Sequence, residues 1–281
     1  MRTLSVAGLD IRVATAVPFE RFNDAAFYRD FFVEHKRRPD CRLEQRVGAV
    51  PVFPATGPVF STQNWQLFPS HSRTVLSVGP LPKRGRPDNL AVFEDGYACG
   101  IIYQKSVFEL FRRFIDQFIL MNLLAGKGGF LLHASGLVYR GKGICFTGPS
   151  GAGKSTMLDL FKGKPPAGAL LNDDRLALRP VRGRWTVFGT PWYGESRVSS
   201  SASAPLTAIF FIRHAAQNSL RRMSARDVCS RMPVLGLLPL WDARATQEVL
   251  AAFDALLAAV PVYDLGFVPD DRVLDLIATV F

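Results

Sequence analysis

Nine consecutive residues hold the densest chemistry of the chain: Gly148, Pro149, Ser150, Gly151, Ala152, Gly153, Lys154, Ser155 and Thr156, which satisfy the pattern GxxxxGK(S/T). Glycines at 148, 151 and 153 let successive backbone N–H groups turn inward on phosphate oxygens without a clashing Cβ. The start of the following helix adds its positive end. In such a cradle Lys154 is expected to bridge the β and γ phosphates, and the Ser155 hydroxyl to sit on Mg²⁺ with Thr156 beside it. A second cluster follows in "ALLNDDR", where Asp173 and Asp174 stand 19 and 20 residues beyond Lys154. One carboxylate can hold Mg²⁺ while its neighbour faces an incoming hydroxyl. The plainer alternative is that Asn172 to Arg175 caps a strand with solvated polar groups.

These residues need particular elements around them. "FLLHASGLVY" and "GICFTG" read as two strands joined by "RGKG" as a tight hairpin, and the second strand feeds the cradle. A two-residue turn centred between Gly141 and Lys142 would set His133 opposite Ser150, where an imidazole could reach phosphate or substrate. A histidine in an apolar run also reads as a satisfied core residue. "GALLNDDRLAL" and "LTAIFFIR" read as buried strands, and Ala243–Ala259 and Asp270–Phe281 have the apolar spacing of closing helices. "SSSAS" at 199–203 reads as a mobile loop. Upstream, "LSVAGLDIRVATAV", "RTVLSVG", "NLAVFEDG" and "ACGIIYQ" are strand-like, so residues 1–105 are expected to form a β-rich N-terminal module. Apolar residues from Phe108 to Leu123 recur at helical spacing. They predict a helix over Ser106–Ala125, stopped by "GKGG" and opening a second region, 106–281.

Composition bounds the rest. With 281 residues, 48% hydrophobic and 21% charged, the chain can bury the core of one large or two modest domains. No apolar stretch approaches the length of a membrane span and no leader with a cleavage site is evident, so a cytoplasmic protein without a membrane partner is expected. The four cysteines, Cys41, Cys99, Cys145 and Cys229, lack metal-ligand spacing to any histidine. A net charge of +10 invites an acidic partner, but its clusters, "HKRRPDCR" at 35–42 and "PKRGR" at 82–86, read as solvated loops. No basic, aromatic-studded run argues for nucleic acid. An LSGGQ-like signature and an (N/T)KxD guanine reader are both missing, which disfavours transporter ATPases and GTP switches.

His133 in "LLHASGLV", the P-loop "GPSGAGKST" and the paired aspartates of "LNDDRLAL" together resemble the catalytic domain of the HPr kinase/phosphorylase family, over about Gly129–Phe281. The resemblance implies an α/β fold with a mixed sheet, akin to phosphoenolpyruvate carboxykinases. It also implies an ATP- and Mg²⁺-dependent phosphotransferase acting on a serine hydroxyl. On that likeness His133 is the active-site histidine, Lys154 and Ser155 serve phosphate and metal, Asp173 is assigned to metal and Asp174 to the acceptor hydroxyl, with the reverse division open. The family's Glu-x-Arg can be aligned with Glu195 and Arg197 of "GESRVSS", as substrate-binding candidates. Its glycine-rich run is missing here, which shifts the expected acceptor from HPr to a serine on another peptide or protein. The family's hexamers leave homo-oligomerisation open. Two rival readings stand beside this one: a small-molecule alcohol kinase in which Arg179, Arg182 and Arg184 clamp an anionic metabolite, and a nucleotide-dependent binding module without catalysis.

Overall fold

The computed structural model describes all residues except 35–36, 53–56, 71–72, 80–86, 112–113 and 165–166. The basic cluster Pro82–Arg86 therefore lies outside the described residues. The chain is mixed α/β and divides into two compact units, Met1–Leu123 and Leu124–Phe281. Each contains one mixed nine-stranded sheet. No helix among the described residues is long and apolar enough to cross a membrane.

In the first unit the strands are β1 (Arg2–Val6), β2 (Leu9–Ala14), β3 (Phe32–Val33), β4 (Cys41–Val47), β5 (Phe60–Ser61), β6 (Trp65–Ser70), β7 (Arg73–Val78), β8 (Asn89–Glu94) and β9 (Cys99–Gln104). They are ordered β3-β1-β2-β4-β9-β8-β7-β6-β5. The β2–β4 and β4–β9 pairs are parallel and the others antiparallel. Strand β4 shows the half-buried alternation expected of a sheet with one covered face: Cys41, Leu43 and Gln45 are buried, Arg42, Glu44 and Arg46 exposed. The cluster expected as a solvated loop is thus partly strand, and Arg37 is spent on an ion pair 2.8 Å from the buried Asp10.

The helix expected over Ser106–Ala125 forms only from Ile115, as α1 (Ile115–Ala125). Tertiary bonds displace its first half. The amides of Leu110 and Phe111 donate to the Asp24 carboxylate at 3.0 and 3.1 Å, and the Phe108 carbonyl accepts from the Asn23 amide. Those groups are no longer available to a helical ladder. The stop after Ala125 is as expected, with Gly128 at φ +65° and the Gly129 amide returning to the Leu124 carbonyl at 2.9 Å.

The second unit contains, in chain order, β10 (Phe130–Tyr139), β11 (Lys142–Thr147), α2 (Lys154–Phe161), β12 (Ala167–Asn172), β13 (Arg175–Val181), β14 (Arg184–Phe188), β15 (Ser203–His214), β16 (Ser219–Arg222), α3 (Ala225–Leu235), β17 (Gly236–Leu237), α4 (Ala243–Ala259), β18 (Val262–Phe267) and α5 (Arg272–Ala278). Because β11 pairs with both β10 and β15, the strands β11-β10-β13-β14-β15 close into a ring, extended by β18 and β16. Strands β11, β15 and β18 run parallel and are covered on both faces, which is why they read as continuous apolar runs. Ala208, Phe210 and Ile212 pack with Met157, Leu158 and Phe161 of α2, while Ile209 and Phe211 pack with Val249, Phe253 and Leu256 of α4.

The β10–β11 hairpin exists, but its turn is Arg140–Gly141, at φ +50° and +74°, with Tyr139 opposite Lys142. Two positive φ values make the turn whose twist matches the strands. The expected register was therefore displaced by two residues, so His133 does not pair with Ser150. A shift of two preserves the faces, so the side on which His133 emerges is unchanged.

Candidate active site

The cradle is the connection from β11 to α2. Gly151 and Gly153 adopt φ +79° and +94°, values that L side chains reach only with strain. Gly153 is also sterically required, since a Cβ there would come within 2.6 Å of the Phe267 ring and 3.0 Å of His214. Lys154 begins α2 and is buried, its Nζ donating to the carbonyls of Gly148 and Pro149 at 3.0 Å each. Burial pushes its pKa down, and the Asp174 carboxylate pulls it partly back. Ser155 and Thr156 follow in the first turn, both part-exposed.

Strand β10 supports the cradle from one side. The Thr147 hydroxyl donates to the His133 carbonyl at 2.8 Å, and the buried Ser135 hydroxyl donates to the Lys154 carbonyl at 3.1 Å. These bonds fix where the loop leaves the sheet and where the helix begins. His133 then sits beside β13, directly opposite Arg175.

Strand β12 ends at Asn172, and the chain turns through Asp173 and Asp174 into β13. Three adjacent polar residues take three different jobs. Asn172, fully buried, accepts with Oδ1 from the amides of Asp174 and Arg175 at 2.8 Å, and its Nδ2 donates to the carbonyls of Thr190 and Trp192. The first pair is an Asx turn; the second ties that turn to the segment after β14. Asp173 accepts from the amides of Gly194, Ser196 and Val198 at 2.8, 2.7 and 3.3 Å. Asp174 faces the other way: its Oδ1 lies 3.1 Å from His133 Nδ1 and its Oδ2 lies 3.2 Å from Arg175 Nε. Burial pushes the Asp174 pKa up, but the hydrogen bond from His133 and the charges of Arg175 and Lys154 outweigh it and leave the pKa below its ordinary value of 3.8.

The structure therefore brings together His133, Lys154 and Asp174, while both oxygens of Asp173 are directed to the loop at 194–198. Asp173, expected on the metal, thus has its oxygens taken by three loop amides, whereas Asp174 stands with His133 and Arg175. Glu195 and Arg197 are exposed on the loop that Asp173 holds, with Arg197 at φ +54°. The serine run at 199–203 is tied in as well: Ser199 donates to the Thr190 carbonyl and bridges to Asn172, and Ser203 opens β15. Arg182 occupies the turn of the β13–β14 hairpin at φ +50°, and Arg179 lies over the Phe188 ring. These are placements of a hairpin rather than of an anion clamp.

Sequence reasoning missed Asn172, Thr190 and Arg175. Asn before a paired acid is a turn signal, and that signal was available; the partners of Asn172, 18 and 20 residues away, were not. Among the described residues no group of three or more His, Cys, Asp or Glu side chains could hold a metal ion by itself. A divalent ion here would need phosphate oxygens and water to complete its shell, with the Ser155 hydroxyl as the protein's share, a donor set that suits Mg²⁺.

No protein-family model matches the chain, and no curated protein matches it either. Among solved structures it is similar to the HPr(Ser) kinase/phosphatase from Coxiella burnetii, with 14% identity over 53% of this chain and 87% of that chain, at a TM-score of 0.28.

Proposed function

We propose that the Leu124–Phe281 unit is an ATP- and Mg²⁺-dependent phosphotransferase whose acceptor is an alcohol, most specifically a serine hydroxyl of a peptide or protein. The observation that carries this reading is the meeting of a phosphate-shaped glycine loop, a buried lysine and a carboxylate paired with a histidine. Backbone amides of the cradle after Pro149, from Ser150 to Thr156, would donate to the phosphate oxygens. Lys154, now bonded to two loop carbonyls, exchanges them for the β and γ phosphates, regaining the charge partner that its burial calls for. Mg²⁺ would supply neutralisation of the phosphate charge, with the Ser155 hydroxyl as the ligand from the protein, since the Asp173 oxygens are taken by three loop amides.

In the transfer, the serine oxygen forms a bond to the γ phosphorus as the bond from that phosphorus to the β–γ bridging oxygen breaks. The serine proton passes to Asp174. An aspartate with a depressed pKa is a weak base, so its role is chiefly to orient the hydroxyl while the proton leaves late. His133 and Arg175 fix the carboxylate in place. Asp173 is a positioning residue that holds Glu195 and Arg197 on a preformed loop near the acceptor.

The reading is tested by mass spectrometry of a serine-peptide library incubated with Mg²⁺, γ-labelled ATP and the full chain. Phosphoserine formed by the wild type and absent with Lys154→Ala supports it. Labelling that survives Lys154→Ala, or ADP formation driven only by small metabolites, would sink the peptide-kinase reading.

A further inference from the structure

Strand β15 meets the cradle at its first and last glycines. On the face turned to α2 its buried residues Ala208, Phe210 and Ile212 alternate along the strand, and the next position in that row is His214. The row thus changes from apolar to ionisable where it reaches the phosphate loop. A Cβ on Gly148 would lie 3.0 Å from the Ile212 carbonyl oxygen, and one on Gly153 would lie 3.0 and 3.1 Å from Cε1 and Nε2 of His214. The imidazole is therefore in contact with Gly153, the residue at φ +94° from which α2 begins. Its other neighbour is the ring of Phe267, its partner across β15 and β18, with 5.0 Å between ring centroids.

Two features separate His214 from a histidine that only fills space. It is exposed, and among the described residues its ring makes no hydrogen bond or ion pair. The charges on the elements around it are committed elsewhere. Lys154, next after Gly153, rests on the carbonyls of Gly148 and Pro149. Arg213, beside His214 on β15, and Arg231 of α3 both reach Asp264 of β18, at 3.2 and 3.4 Å. Beyond β18, Asp270 pairs with Arg272 and Asp271 with Lys164, and the connection Ala215–Asn218 carries no charge.

We infer that His214 is a further residue of the phosphate cradle, a positioning residue whose ring walls Gly153 into its left-handed conformation and whose protonated form adds a cation beside the loop. The inference rests on the phosphate-binding part of the function proposed above and extends it: the grip on a polyphosphate tightens as the pH falls. An uncharged ring in this place supplies packing alone. An imidazolium adds its charge to the amide dipoles at the start of α2 and acts through space on any anion held there. Histidine is the side chain whose charge ordinarily changes between about pH 5 and 8, so one residue can supply both conditions.

The test is calorimetric titration of the full chain with sodium tripolyphosphate, without metal, at several pH values between about 5.5 and 8.5 and at constant ionic strength. Wild type is compared with His214→Gln and His214→Phe, the second keeping an aromatic ring against Gly153 and Phe267, with folding checked by circular dichroism. The ligand and the other histidines are common to all three proteins, so the affinity ratio of wild type to variant isolates His214. Expected is a ratio that grows by about threefold to tenfold from the highest pH to the lowest, for both variants. A ratio that stays constant or shrinks as the pH falls, in either folded variant, would overturn the inference and leave the phosphate reading standing, because the cradle would still bind. Failure of the wild type to bind tripolyphosphate at any pH would overturn the phosphate reading and this inference with it.

Discussion

Buried polar groups serve different ends in the two units. In Met1–Leu123 they close on one another: Tyr28 donates to Asp116 at 2.7 Å, Gln45 to Gln104 at 2.7 Å, and Asp24 receives the Leu110 and Phe111 amides. Such pairs hold loops to a sheet. In Leu124–Phe281, Asn172, Asp173 and Thr190 are as buried and as well bonded, and they tie the turn before β13 to residues 190–198. Lys154 there is folded onto carbonyls of its own loop. A buried cation resting on neutral carbonyls is only partly compensated, whereas the buried Leu110 and Phe111 amides each have their acceptor in Asp24. The contrast separates polar networks that close on one another from one that leaves a buried lysine on the carbonyls of its own loop.

The largest expected effect falls on the cradle. Lys154→Ala deletes a charge aimed at the transferring group, and transfer should fall by about 10² to 10³, measured as initial rates at saturating ATP, with little change in melting temperature. Equal loss of stability and rate would blur the contrast. Next comes its counterpart in the first unit: Asp24→Ala leaves two buried amides without their acceptor and should cost on the order of 2–4 kcal/mol in denaturant unfolding. That change should leave ATP affinity of the folded protein intact.

Asp173→Ala should sit between the two kinds of behaviour. Three loop amides lose their acceptor, for about 1–3 kcal/mol of stability, and KM for the acceptor should rise more than kcat falls. A kcat collapse at unchanged KM would instead put Asp173 on the metal. The smallest effect is one of sign with pH. Asp174 has a folded pKa below 3.8, so its ionised form adds stability that is present above 3.8 and lost as the pH falls through the folded value. Asp24 is the reverse: burial raises its pKa despite two amide hydrogen bonds, so its contribution is present below 3.8 and lost as the pH rises through the folded value. Melting curves between about pH 3 and 6 should show Asp174→Asn falling behind the wild type as the pH rises and Asp24→Asn gaining on it. The same sign for both would break the comparison.

Much of the second unit was readable because its local signals agree. The glycines of the cradle, the apolar runs of β11 and β15 and the 17-residue helix α4 are each set by neighbours in sequence. What escaped was set by partners far along the chain. Residues 106–114 carry helical spacing, but Asp24, 86 and 87 residues away, takes the amides a helix would use. The hairpin turn was misplaced because "RGKG" offers more than one two-residue centre, and only the Arg140–Gly141 choice puts both positive φ values at the turn. Asp173 and Asp174 look alike in sequence, and nothing local distinguishes them. Their division depends on a loop 21 to 25 residues downstream that claims one and leaves the other to His133.

That division is the centre of the account, and Asp174→Asn tests it most directly. The amide keeps the shape and can still accept from His133, but it lacks the charge that orients the hydroxyl and cannot take its proton. The rate of γ-phosphoryl transfer from labelled ATP to a serine peptide, measured at equal folded fraction, is predicted to drop by about 10² or more while ATP affinity is retained. Transfer at the wild-type rate in Asp174→Asn would contradict it.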